Sequence, residues 1–200
     1  MHTQTSGAPA IGAGAPAPTP RVIGLDLSLT SPGIAFSDGS TTTLKTKDSD
    51  GDHRLTHIRR FVALAVGGPQ FMDNPNATPA ALVVIEDLPM HAKSAGITGM
   101  VHGVVRELLA EAGVPYARVI PSTLKKYATG SGGADKTAMA MAAYKRASRE
   151  FPGDKGGDQC DAWWLRAAGL DILGHPLFTL PKDQRAALDK VAWPKAVTTP

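Results

Sequence analysis

The chain has 200 residues, 42% of them hydrophobic, one cysteine and a formal charge of +3. That is enough apolar material for one domain with a real core. It leaves no internal disulfide, so the lone Cys160 fits a reducing cytoplasm. No apolar run approaches the ~20 residues of a membrane span, and the N-terminus lacks the charged and then apolar segments of a secretory signal.

Residues 1–20 are Ala, Gly, Pro and Thr with almost no large apolar side chain, which predicts a flexible tail. The first strand is expected over 21–27 and ends on Asp26, and Pro32 and Gly33 mark a turn into a second strand, 33–37. Asp38-Gly39 is a hairpin turn, and 40–45 a third strand. After a polar loop, Leu55, Ile58, Phe61, Val62 and Ala65 recur at helical spacing, so 53–66 is an amphipathic helix stopped by Gly67-Gly68-Pro69. Residues 81–86 open with five apolar residues, the pattern of a strand buried on both faces, and end on Glu86. A helix over 94–112, a strand over 114–120 and a helix over 121–127 follow, then a Gly-rich loop, a helix over 135–150 and the last core helix, 158–170. The remainder carries one helical piece near 182–190 and then frays. This order implies an α/β domain over 21–172, with a mixed five-stranded sheet and helices on both faces, followed by a partly irregular extension, 173–200.

Four carboxylates carry the chemistry: Asp26 and Glu86 at strand ends, Asp158 and Asp161 at the start of the last core helix. An acid that terminates a buried run is costly unless a cation or hydrogen bonds compensate it. Several acids gathered at one end of a sheet suit hard divalent metals, which take oxygen ligands. Paired divalent ions ~4 Å apart are a means of hydrolysing phosphodiesters, and they need several carboxylates. Asp158 and Asp161 stand three apart, on one helix face. Two of the acids also have a plainer reading. Asp158 serves equally as a helix cap, and Asp26 as a strand-end acid bonded to the next turn, where Ser28, Thr30 and Ser31 suit either a metal site or a nucleotide phosphate. Glu86 is preferred over Asp87 because it continues the phase of Leu82 and Val84. Cys160, with no His near it in sequence, reads as a small buried helix residue.

Positive charge is concentrated between Arg118 and Arg149, where seven Lys and Arg stand against Asp135 alone. A basic segment beside an acidic site is what an enzyme acting on a polyanion needs; the bland alternative is a solvated helix face.

In this order the motifs resemble the RuvC family of Holliday-junction resolvases, within the RNase H-like superfamily. Ile23-Gly-Leu-Asp26 with its turn into Gly33 is similar to the family's opening motif. Val84-Ile85-Glu86, then Met90-x-Ala92-Lys93, then Gly103-Val104-Val105 resemble its second acid and the helix after it. Val119-Ile120-Pro121-Ser122-x-Leu124-Lys125 and Ala134-Asp135-Lys136 resemble its basic segment, and Asp158-x-x-Asp161-Ala162 its closing pair. Leu27-Ser28 stands where the bacterial enzymes have a Pro-Gly turn, and Asp87 where they have an amide, so the form looks closer to bacteriophage members. The resemblance implies an RNase H-like fold and a homodimer that nicks four-way DNA junctions, with two Mg²⁺ per site and Mn²⁺ as a substitute. It implies Asp26, Glu86, Asp158 and Asp161 as catalytic metal ligands, and Lys93, Lys125, Lys126 and Lys136 as DNA contacts. A branch-migration helicase as a further partner is left open. Phe71, Tyr127 and Phe151 stand as candidate wedges at a branch, against a reading as local packing.

Three rivals remain at the level of sequence. One is a sugar kinase or actin-like ATPase, which needs a second domain for which the chain is too short. Another is a non-catalytic junction-binding module, which has no use for four acids. The third keeps the fold but acts on flaps, forks or other branched nucleic acid, because substrate shape is read by loops and dimer geometry rather than by the acids.

Overall fold

The computed structural model describes residues 18–68, 70, 71, 74, 76–88 and 95–198. Five strands build one mixed sheet: β1 (Val22–Asp26), β2 (Gly33–Ala35), β3 (Thr41–Thr43), β4 (Leu82–Glu86) and β5 (Tyr116–Val119), in spatial order β3-β2-β1-β4-β5. The first three form an antiparallel meander. Its β2–β3 turn is closed by Gly39, at φ 90, whose N–H donates to Phe36 O. β4 and β5 then join β1 in parallel after helical crossovers. The helices are α1 (His53–Val66), α2 (Ala95–Glu111), α3 (Pro121–Thr129), α4 (Lys136–Ala147), α5 (Asp158–Ile172), α6 (Lys182–Arg185) and α7 (Lys195–Thr198), with short 3-10 turns at Asp48–Asp50 and Ala186–Lys190. This is the mixed five-stranded α/β sheet expected from the element order, with helices on both faces, and it has the RNase H-like form that the resemblance implied.

Strands β2 and β3 are shorter than the expected 33–37 and 40–45, because their hairpin pairs over only three residues on each side. Helix α3 runs on to Thr129 and ends at Gly130, in the left-handed region at φ 88, so the Gly-rich loop starts later than the composition implies. Residues 1–17, most of the expected N-terminal tail, lie outside the described residues.

Strand alternation divides the core in two. Ile23, Leu25, Ile34, Val83 and Ile85 point to the α1/α2 side and pack with Ile58, Val62, Val105 and Leu108. Val22, Ala35, Leu82, Val84 and Val119 point to the other side, where α5 lies across the sheet. Helix α5 is buried all round from Ala162 to Asp171, as expected of a helix enclosed between layers. Trp163 and Trp164 turn away from the sheet and meet Tyr127, Phe151 and Phe178 edge-on or stacked, with centroids 5.3–6.0 Å apart.

The stretch beyond Ile172 closes this second core. Ala187 and Leu188 are buried in it. Arg185 Nε donates to the buried Asp171 at 2.7 Å, and Tyr127 Oη donates to the other oxygen of the same carboxylate at 3.2 Å. Where the composition suggests fraying, a last turn of helix forms at Lys195–Thr198.

Candidate active site

The site is built by a close approach of α5 to the sheet. A Cβ on Gly24 would collide with the carbonyl oxygen of Ala162 and come within 2.7 Å of Arg166 N. A Cβ on Gly33 would collide with the backbone carbonyl of Asp158. Glycine at these two positions lets the first turns of α5 rest directly on β1 and β2.

In the parallel β1–β4 ladder Leu25 lies opposite Ile85. The next residues, Asp26 and Glu86, therefore stand side by side at one edge of the sheet. Alternation puts both on the α5 face, with Val22 and Gly24 on one strand and Leu82 and Val84 on the other. Helix α5 begins after Gly157, at φ 78, and carries Asp158 and Asp161 in its first turn. The cap position is thus Gly157, and Asp158 makes no capping bond. Its carboxylate instead accepts a hydrogen bond from Ser31 Oγ at 3.0 Å, which ties α5 to the turn after β1. That turn is held by Ser31 N–H donating to Ser28 Oγ at 3.0 Å.

The electrostatics follow from this crowding. Burial, then the charges of Glu86, Asp161 and Asp158, push Asp26 well above the usual carboxylate range, and it shares a hydrogen bond with Glu86. Burial and Asp161 push Glu86 up to about 7, against the opposing pull of the Asp26 hydrogen bond and of Lys125. Burial likewise pushes Asp161 up to about 6, with Lys125 and Lys136 opposing and Asp154 and Asp158 adding to the rise. Asp161 is half-buried, at the edge of the buried stretch of α5 that starts at Ala162. Repelling carboxylates hold protons until a cation replaces them.

The basic segment divides. Lys125, half-buried on α3, and Lys136, at the start of α4, act electrostatically on Asp161, and Lys136 Nζ donates to the carbonyl of Gly156 just before α5. Lys126 is exposed and is not among the main charges acting on the three perturbed acids. Lys93 lies outside the described residues. Arg118 is drawn to Asp87 at 3.0 Å, at the β4–β5 end of the sheet. Arg146 binds Gln184 at 2.9 Å, and Arg149 binds Thr41 at 3.0 Å.

Asp154 is a site neighbour that sequence reasoning missed. It accepts the Cys160 N–H at 3.0 Å and adds to the negative field on Asp161. Its position after Pro152-Gly153, just ahead of the helix, is the signal that could have found it. Cys160 is buried and its thiol is pushed up, first by burial and then by Asp161, so it is not an activated nucleophile. Tyr127 is buried and bonded to Asp171, and Phe151 packs edge-on to Trp163, so neither stands as a wedge. Phe71 packs against the α1/α2 core.

Asp26, Glu86, Asp158 and Asp161 form an all-oxygen donor set of the kind that hard divalent cations take. As the side chains stand, no three His, Cys, Asp or Glu groups among the described residues close around a single point. These residues fit such a centre in the chemistry of their donor atoms and in a mutual repulsion that a bound cation would relieve.

No family model matches the chain, and no curated protein matches it. Solved structures do. The chain is similar to the Thermus thermophilus RuvC structure at 20% identity and a TM-score of 0.59, over 78% of this chain and 97% of that one. It is similar also to T. thermophilus RuvC in complex with Holliday junction substrate, at 20% identity and a TM-score of 0.55, over 73% of this chain and 90% of that one. At this identity the likeness is one of fold.

Proposed function

We propose that this chain is a metal-dependent endonuclease that nicks branched DNA, with four-way junctions as the preferred substrate. The observation that carries the reading is the meeting of Asp26, Glu86, Asp158 and Asp161, from β1, β4 and α5, on one face of the sheet edge. Three of these acids are destabilised by burial and by one another, a standing cost that a cation-binding role explains. The four carboxylates would hold Mg²⁺, which supplies an activated water and charge neutralisation on a phosphodiester. Ser31 fixes the orientation of Asp158. Lys125 and Lys136 flank the acids and would hold the scissile phosphate against them.

Branch selectivity and a two-fold partner are supported by two further observations. One of the similar structures is bound to Holliday junction substrate. Helix α2 exposes Ile97 and Met100, and the space over its Gly96, Gly99 and Gly103 is open, which gives a face suited to a second copy of the chain. Two-fold symmetry of a dimer would match that of a four-way junction, and binding should weaken steeply with salt. Among the described residues no helix is long and apolar enough to cross a membrane.

The test is cleavage of labelled four-way, three-way, flap and linear DNA by the protein and by Asp26→Asn, in Mg²⁺ and in EDTA. Paired symmetric nicks in the four-way junction, lost in the variant and in EDTA, are expected. Equal cutting of every branched form would make this a general branch nuclease. Tight binding without cutting would leave a junction-binding module.

A further inference from the structure

Beside the acids lies a groove that their chemistry does not use. It has a volume of about 590 Å³ and runs between α4 and the segment that leads from α4 back to α5. That is within the range of sites that take small ligands. Lys136, Ala140 and Tyr144 stand four apart on one face of α4, and Met141 lies beside them. Ala140 leaves the wall low at its centre. The opposite wall is Phe151, with the guanidinium of Arg149 5.3 Å above its ring. Chain reversal here depends on Ser148, a non-glycine residue in the left-handed region at φ 49, whose N–H returns to the Tyr144 carbonyl at 2.8 Å. The inner end of the groove is shared with the acidic site, through Lys136, Asp154 and Gly157.

Two features point to the ligand. The groove pairs solvent-facing apolar groups, Met141 and Tyr144, which are about half exposed, with cations at Lys136, Arg149 and Lys155 that outnumber its two acids, Glu150 and Asp154. Aromatic and apolar walls with flanking cations fit a nucleotide, whose base has a stacking face and whose backbone is anionic. It also opens directly onto the place where a phosphodiester would be cut.

We infer that the groove between α4 and the 149–157 segment receives one unstacked nucleotide of the strand being cut. Its base lies against Tyr144 and Met141, and its phosphate lies toward Lys155. This deepens the nuclease reading and rests on it. Such a site makes an unpaired or easily opened base beside the cleavage point a condition for tight binding, because extracting a stacked base costs energy that a branch has already spent.

The probe is a four-way junction with 2-aminopurine placed in turn at each of the three nucleotides on either side of the cleavage point, bound to the full chain in EDTA so that no cutting occurs. Fluorescence should change sharply at one position only. Tyr144→Ala should abolish that change and weaken binding about tenfold, whereas Tyr144→Phe should keep both, since stacking is sequence-tolerant and needs only the ring. Tyr144 is exposed, so the substitution spares the core. If Tyr144→Ala binds as tightly as the parent with the same fluorescence pattern, the groove is not the site. If the parent binds no junction at all, both this inference and the nuclease reading fall. If the parent binds in EDTA and cuts the same junction once Mg²⁺ is added, yet no position responds, the groove alone falls.

Discussion

The two faces of the sheet are made by alternate residues of the same strands, yet they obey opposite rules. Toward α1 and α2, β1 and β4 present Ile23, Leu25, Val83 and Ile85, all fully buried and aliphatic. Toward α5 the same strands present Val22, Gly24 and Asp26, and Leu82, Val84 and Glu86. One side maximises apolar contact, and the other gives up volume at Gly24 and ionic comfort at two carboxylates. A half-stable site is tolerable because the other half of each strand supplies the folding energy.

The largest test of that division is Gly24→Ala. With α5 packed against this position, the variant should lose about 3 kcal/mol or more of stability by overpacking, along with any cleavage, as read by urea denaturation and a nicking assay. The matching change on the other side, Ile85→Ala, should cost about 2–4 kcal/mol and yet leave cleavage per folded molecule intact. If Ile85→Ala abolishes cleavage in protein that is fully folded, the two faces are not independent.

pH sharpens the contrast. Asp26, Glu86 and Asp161 bind protons more tightly folded than unfolded, so stability without metal should fall as pH rises from about 4 to about 7. A Tm lower by about 5 °C or more across that window is expected. Asp26→Asn should flatten the slope, and Mg²⁺ at pH 8 should restore Tm in the parent more than in the variant. A flat profile in metal-free buffer would mean that the acids are not in mutual conflict. The smallest effect belongs to Tyr127→Phe. It removes one bond to Asp171 and should cost about 1 kcal/mol with no change in cleavage.

Much of the acidic cluster was legible in the sequence because strand alternation is strict. Glu86 rather than Asp87 follows from the phase of Leu82 and Val84, and Asp87 indeed turns to Arg118. Helix α1 was legible to the residue, since its apolar spacing is bounded by Gly67 and Gly68. The fate of the basic run was not. Lys125 and Lys126 are neighbours in sequence but lie about 100° apart around a helix, and only packing decides which one meets the acids. Nor does composition show that Gly33 is a seat for α5 as well as a turn residue, or that Leu188 completes a core begun at Val22. Such contacts join segments far apart in the chain, where local pattern carries no signal.

The docking of α5 on Gly24 and Gly33 also bears on the order of events during synthesis. The strand that carries Asp26 leaves the ribosome early, while the helix that carries Asp158 and Asp161 and the Arg185 clasp behind it come near the end of the described chain. Domains assemble as their parts emerge. A nascent chain that already has its sheet therefore holds two acids at an open edge with nothing to complete them. On the nuclease reading proposed above, such a chain would be unable to cut nucleic acid until its last helices are seated.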